Sequence, residues 1–372
     1  MPNTLRIAVL AKSFTRTGGM ERYVVETCQR LAARGHAIDV YAREADQELL
    51  QGGMRFLPVP LRWGFSSVLR AVAFARDATR MVAEEEYDIV HSHEMGCGRD
   101  IATVHTFSYR QGLERYRGIR WLDQRYLSLR SALYLWLEQR QMKTPWLVAV
   151  SDAIAGDICR HHGRSREVAV IPPGVDTEAF HPEVVARLRQ QVREKEEIAA
   201  EEFVVLFVGS EFRRKGLDRL IPAIGPGMRL LVVGRGDGWQ YHRQLVVRHG
   251  LGERVRFVGL ASDVLRWYAA ADVVVLPSRS EAFGMSILEG MACGLPVIAS
   301  AEAGVAALIR HGENGCLMHE AAELPFLLER LQVPEERQRL GRAGRLTAEG
   351  HSWDAVATAH EELYQRAVAA RS

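Results

Sequence analysis

Short apolar runs rich in β-branched residues alternate with longer stretches of helical period along the whole chain. In the first half the runs are 6–10, 38–41, 56–59, 88–91, 101–104, 147–150 and 168–171, each the length of one strand. Between the first two, residues 19–34 carry Met20, Val24, Cys28 and Leu31 at helical spacing. The alternation restarts with runs at 203–208, 230–233, 255–258, 273–276 and 297–299. Strands that alternate with helices predict parallel sheets of the α/β class.

Residues 171–182 (IPPGVDTEAFHP) are rich in proline and glycine and lead into the strongly charged 187–202. This places the interdomain connection there. A chain of 372 residues is more than twice a typical domain, and the expected domains are 1–172 and 173–352. Two such lobes facing each other put strand carboxyl ends on the walls of one cleft, where open parallel sheets bind ligands.

Composition narrows the chemistry. Apolar residues make up 47% and charged residues 25%, which excludes a disordered or fibrous chain. A net charge of +2 excludes bulk nucleic-acid binding. Five cysteines without a C-x-x-C pair read as reduced thiols in a cytosolic protein. Residues 5–11 (LRIAVLA) read as a first strand and not as a signal peptide, and no apolar run approaches the roughly 20 residues of a membrane span.

One segment departs from this neutral average. Residues 109–143 hold Arg110, Arg115, Arg117, Arg120, Arg125, Arg130, Arg140 and Lys143 against Glu114, Asp123 and Glu138, a net +5. Tyr109, Tyr116, Trp121, Tyr126, Tyr134 and Trp136 are interleaved with them. Cations with interfacial aromatics suit an anionic membrane surface. The other reading is a solvated helix pair whose aromatics pack on the first domain.

The richest stretch for chemistry is 278–298, SRSEAFGMSILEGMACGLPVI. It leaves the strand at 273–276, turns through Glu281 to Gly284 and enters a helix at Met285. A helix start at a strand end offers unpaired N–H groups and a positive dipole end to a phosphate. Glu289 follows Glu281 by eight residues, about two helical turns. A second cluster, GSEFRRKG at 209–216, sets Arg214 and Lys215 at another strand end, where a departing diphosphate needs its charge neutralised. A third, Thr17 to Arg22, sets Gly18 and Gly19 after the first strand, suited to close backbone approach.

The E-x7-E stretch resembles the signature of family-4 glycosyltransferases, retaining enzymes of the GT-B fold. The similarity extends to 255–284, to VVGRGD at 232–237, to IPPGVDTEAFHP and to the late tryptophan segment near Trp353. It implies a final helix, about 353–372, that crosses back to the first domain. It further implies that Glu281 holds donor-sugar hydroxyls, Glu289 the ribose, the backbone of Phe283, Gly284 and Met285 the diphosphate, and the loop 259–263 the nucleobase. Arg214 and Lys215 would be the diphosphate-binding pair, and Gly18 and Gly19 the donor loop of the first domain. The arginine of many members falls near Ser210 here, so Arg214 or Arg213 must serve. His105, in ATVHTFS, resembles the active-site histidine of lipid-acceptor members, and Asp100 an aspartate of lipopolysaccharide-core glucosyltransferases.

The resemblance implies a UDP-glucose donor, a glycolipid acceptor in the lipopolysaccharide inner core and a cytoplasmic enzyme, peripheral on the inner membrane face. Phosphatidylinositol, capsule or exopolysaccharide acceptors remain alternatives. No cofactor is expected, since the nucleotide-sugar is a substrate, and no metal, since Asp-x-Asp does not occur. His91, Ser92, His93 and Glu94 are read as diverging across a strand and so not as a metal site. A Rossmann-type oxidoreductase or epimerase would need G-x-G-x-x-G in the first turn, and residues 11–22 offer only Gly18-Gly19.

Overall fold

The computed structural model describes residues 4–60, 66–115 and 128–371. The chain divides into two compact units, Met1–Pro173 with Trp353–Ser372, and Gly174–Ser352. Both are α/β, as the alternation of runs predicts.

Unit one is built on seven strands: β1 (Arg6–Leu10), β2 (Ala37–Ala42), β3 (Arg55–Pro58), β4 (Ile89–Ser92), β5 (Ile101–Val104), β6 (Trp146–Ala149) and β7 (Val168–Val170). Their order is β3-β2-β1-β4-β5-β6-β7, and every pair is parallel. Pro58, which cannot donate to a ladder, ends the edge strand β3, where that loss is tolerated.

Unit two has six: β8 (Phe203–Val208), β9 (Met228–Val233), β10 (Val255–Gly259), β11 (Val273–Leu276), β12 (Val297–Ser300) and β13 (Cys316–Met318). The order β10-β9-β8-β11-β12-β13 is again all parallel. Val204 to Phe207 of β8 are fully buried, as expected of a parallel strand covered on both faces. β13 escapes the sequence pattern because Cys-Leu-Met is three residues long and has no β-branched member.

Each order reverses once, at β1/β4 in unit one and β8/β11 in unit two. There the chain leaves two neighbouring strands in opposite directions and opens a crevice at their carboxyl ends. The loops after β8 and β11 are those that carry Arg214, Lys215 and Glu281.

The charged stretch expected in the interdomain connection belongs to unit two instead. Pro182–Lys195 is a helix, with Val185 and Val192 buried. Asp272 anchors it through Arg189 at 2.6 Å and Arg193 at 3.3 Å while accepting the Val204 N–H at 2.8 Å. Its charges thus include structural ion pairs, which a linker reading misses.

The last helix, Trp353–Ala369, completes unit one by packing on Gly19–Ala33. Trp353, Leu363 and Tyr364 are buried, and Glu361 meets Arg34 at 3.0 Å and His36 at 3.3 Å. All five cysteines are unpaired. No described helix is long and apolar enough to cross a membrane. Of the basic segment, residues 116–127 lie outside the described residues; on the flanking helix Leu129–Met142, Tyr134 stacks on Tyr109, and exposed Trp136 carries the Arg140 guanidinium 5.2 Å from its ring centre.

Candidate active site

The β8/β11 crevice gathers the sequence-predicted cations and the first glutamate on one atom. Glu281 Oε2 lies 3.1 Å from Lys215 Nζ and 3.2 Å from Arg214 Nη1. Burial alone would raise the Glu281 carboxyl; Lys215 and Arg214 outweigh it and hold the group below its ordinary value. It is therefore an anion at neutral pH, only 8% exposed, with two cations beside it. Arg214 is shared with Glu211, which takes its Nη2 at 2.6 Å. Of the two arginines left open by the sequence, Arg214 meets Glu281, whereas the Arg213 guanidinium lies over the Tyr241 ring.

The two loops touch closely. Gly216 adopts φ 76°, and a Cβ there would run into the Pro277 carbonyl. Arg279 fastens the pair: it donates to both oxygens of Asp218 at 2.7 and 2.8 Å and to the Arg213 carbonyl at 2.8 Å. Its own N–H reaches the Arg214 carbonyl at 2.9 Å. Asp218 and Arg279 were not singled out by sequence, because no spacing rule links residues 61 apart.

Gly284 ends the turn and caps the helix Met285–Ala292 with φ 108° and ψ 58°, a backbone L side chains rarely adopt. A Cβ would also meet Leu276 and Val305 side chains at 3.1 and 3.2 Å. Gly284→Ala is expected to destabilise unit two by about 1–3 kcal/mol, read as a lower urea midpoint. The helix it starts is buried from Ser286 to Ala292, so its N-terminal dipole acts in low dielectric. Phe283, Gly284 and Met285 form that start. The buried Ser286 hydroxyl has no hydrogen-bond partner, a polar group left for a ligand. Further along, Glu289 is buried and accepts the Tyr268 hydroxyl at 2.6 Å, a partner the sequence did not reveal.

Unit one places its predicted residues differently. Gly18 is the N-cap of Gly19–Ala33, in the segment that follows β1. Asp100 is buried and engaged: one oxygen accepts the Val90 N–H at 2.7 Å and the other pairs with Arg371. It therefore ties β4 to the chain's end. His105 is half-buried and hydrogen-bonds His93, Nε2 to Nδ1, at 3.0 Å.

The reading of His91 and His93 as diverging is corrected here. Two residues apart, they share one strand face, and their rings lie 4.3 Å apart. His360 and Tyr364 join them from the last helix: His91 bonds Tyr364 at 2.7 Å, and Tyr23 bonds His360 at 2.7 Å. Among the described residues, no three His, Cys, Asp or Glu side chains are grouped to hold a metal.

Comparisons with known proteins bear on the family. The family description "Glycosyl transferases group 1" matches residues 189–347, and "Glycosyltransferase Family 4" matches 17–179. A D-inositol 3-phosphate glycosyltransferase of Kribbella flavida is 31% identical, over 94% of this chain and 91% of its own. The chain is a group 1 glycosyltransferase. Among solved structures, WaaG, a glycosyltransferase involved in lipopolysaccharide biosynthesis, superposes on it with a TM-score of 0.82 at 22% identity, covering 96% of this chain and 98% of WaaG. Anabaena HepE in complex with UDP and glucose gives 0.76 at 22%, covering 96% and 98%. With two Rossmann-like units on parallel sheets, this glycosyltransferase has the GT-B fold.

Proposed function

We propose that the enzyme transfers a hexose, glucose in first place, from a UDP-sugar to a glycolipid hydroxyl with retention of configuration. The observation that carries this is the meeting of Arg214 and Lys215 on buried Glu281 beside the start of the helix Met285–Ala292. As the anomeric C–O bond loosens, charge builds on the diphosphate. Two cations and preorganised N–H groups oppose that charge without waiting for solvent to reorganise. Glu281 would turn its remaining acceptor capacity to sugar hydroxyls, and Glu289, held by Tyr268, to the ribose. The leaving phosphate oxygen takes the acceptor proton on the same face, so no protein nucleophile is assigned. In this reading Gly18 and Gly19 approach the donor from unit one, and His105 serves the acceptor side. In the same reading Arg214 and Lys215 take the part a metal would play at the diphosphate.

For the acceptor, the stretches GGMER and GSEFRRKGLDRLI, with the basic aromatic segment, support a lipopolysaccharide inner-core sugar at the cytoplasmic membrane face. Exposed Trp136 beside Arg140 suits such a surface. A second reading, an inositol-type acceptor, is favoured by the name shared by relatives at about 30% identity.

A thermal-shift panel of UDP-, GDP- and ADP-sugars tests the donor. UDP-glucose should raise the melting temperature most, and Lys215→Ala should weaken UDP binding more than uridine binding. Equal losses for UDP and uridine would remove the phosphate role of Lys215, and no shift with any nucleotide-sugar would remove the donor site.

A further inference from the structure

The loops after β8 and β11 carry two arginine–carboxylate pairs of different build. Arg279 and Asp218 form a fork, two nitrogens on two oxygens at 2.7 and 2.8 Å. Arg214 and Glu211 do not. Arg214 Nε at 3.0 Å and Nη2 at 2.6 Å both point at one oxygen, Glu211 Oε2. The Glu211 side chain is 63% exposed, against 17% for Asp218. An exposed pair made through a single oxygen is cheap to break.

The rest of Arg214 is committed to buried acceptors. Nη1 donates to the Ser280 carbonyl at 2.7 Å and to Glu281 Oε2 at 3.2 Å. A guanidinium has five N–H groups, and four of those on Arg214 are taken by Glu211, Ser280 and Glu281. Its Nε/Nη2 edge is the side with the fork geometry that grips two phosphate oxygens at once. Glu211 already occupies that edge. Arg214 and Lys215 thus face two carboxylates, Glu281 and Glu211, and a diphosphate arriving there meets like charge on Glu211.

The backbone at Glu211 is an independent sign. Its φ of 56° lies in the left-handed region, where glycine or asparagine sits at less cost than glutamate. Glu167 and Glu197 have a similar φ but stand outside the crevice loops. The Glu211 carbonyl accepts the Lys215 N–H at 3.0 Å, so this residue opens the turn that carries both cations. Strain of this kind gathers at ligand clamps and switch regions. Shape alone asks for no carboxylate at this position, yet one is aimed at a cation of the site.

We propose that Glu211 is a resting counter-ion, which holds the Nε/Nη2 edge of Arg214 until a diphosphate replaces it and so sets how tightly the donor binds. The inference rests on the reading that Arg214 meets the donor diphosphate. Glu211 is then a positioning residue: it acts through Arg214 and yields its place to the ligand. When the spent nucleotide leaves, the carboxylate reclaims the arginine and favours release.

The test is calorimetric titration of the full chain with UDP, uridine and inorganic pyrophosphate at about 0.15 M salt, where charges more than about 8 Å apart are largely screened. Glu211→Gln should tighten UDP and pyrophosphate by about threefold to tenfold and leave uridine unchanged. Glu211→Asn, at ease in the left-handed backbone, should do the same. In an Arg214→Ala background the Glu211→Gln gain should shrink to less than about twofold, since the two residues act as one pair. Unchanged or weaker UDP and pyrophosphate binding in both Glu211 variants would overturn the proposal. So would an equal gain without Arg214, which would reduce Glu211 to a diffuse surface charge. A wild type that binds pyrophosphate but not UDP would remove the donor reading, and the pyrophosphate comparison would still decide the role of Glu211. No binding of either probe to any form would overturn both.

Discussion

Glu281→Gln is expected to lower sugar transfer by about 10²- to 10³-fold while UDP binding is kept or strengthened. The carboxylate is the shared counter-ion of Arg214 and Lys215, 3.2 and 3.1 Å away. Removing its charge leaves both cations for the proposed diphosphate but takes away the anion proposed to hold sugar hydroxyls, which also sets the spacing of the pair. Nucleotide binding and turnover should therefore separate, which a simple folding defect would not produce. A stability loss of roughly 3 kcal/mol at pH 7 is also expected, because two cations in a partly buried site lose their partner. The sign with pH follows from the depressed folded-state carboxyl. Its contribution is present above the unfolded value of about 4.5 and disappears as pH falls through the lower folded value. Wild type and variant should thus converge in stability below about pH 4.5. Parallel urea titrations with UDP calorimetry decide it; near-normal turnover in the variant would remove Glu281 from the machinery.

Acid should strike unit one first. Burial pushes His105 and His360 down to about 3 and holds His91 and His93 well below the ordinary value. A histidine kept neutral in the fold and free to charge when unfolded costs stability as pH drops below about 6.5. Two acids oppose this: burial raises Glu94 to about 7, so it holds a proton in the fold that the unfolded chain releases, and burial shifts Glu138 in the same direction. Five histidines, His162 included, outnumber these two acids, so unfolding takes up protons and stability slopes downward as pH falls around 5.5. Total stabilities of about 5–15 kcal/mol do not survive that slope for long. The urea midpoint of unit one should fall steeply from pH 6.5 to 5, and His360→Phe should make the fall shallower by about one proton. A flat midpoint over that range, or the same slope in the variant, would show that the cluster does not control it.

Strand runs and the candidate-site loops after β8 and β11 were legible because their information is local. β-branched residues at short intervals mark buried parallel strands, and strand-end glycines followed by a helix mark anion sites. Strand order then does what no local pattern states: it sets the loop after β8 beside the loop after β11, so Lys215 meets Glu281 across 66 residues. Arg279 and Asp218 were invisible for the same reason, since their pairing exists only after that placement. His91 and His93 were misjudged on parity alone, because residues two apart on a strand share a face. Their partners His360 and Tyr364 stand some 270 residues downstream.

That distance also sets an order of events in synthesis. Tyr23 and His91 leave the ribosome early and find partners in Ile171 and Thr103, but their other partners, His360 and Tyr364, belong to Trp353–Ala369, made about 270 residues or more later. Unit two, Gly174–Ser352, must be translated in between. At about 5–20 residues per second this interval is on the order of ten to forty seconds. During it the inner face of Gly19–Ala33 stays uncovered while unit two can already close. The N-terminal half of this enzyme is therefore the later of the two to finish folding.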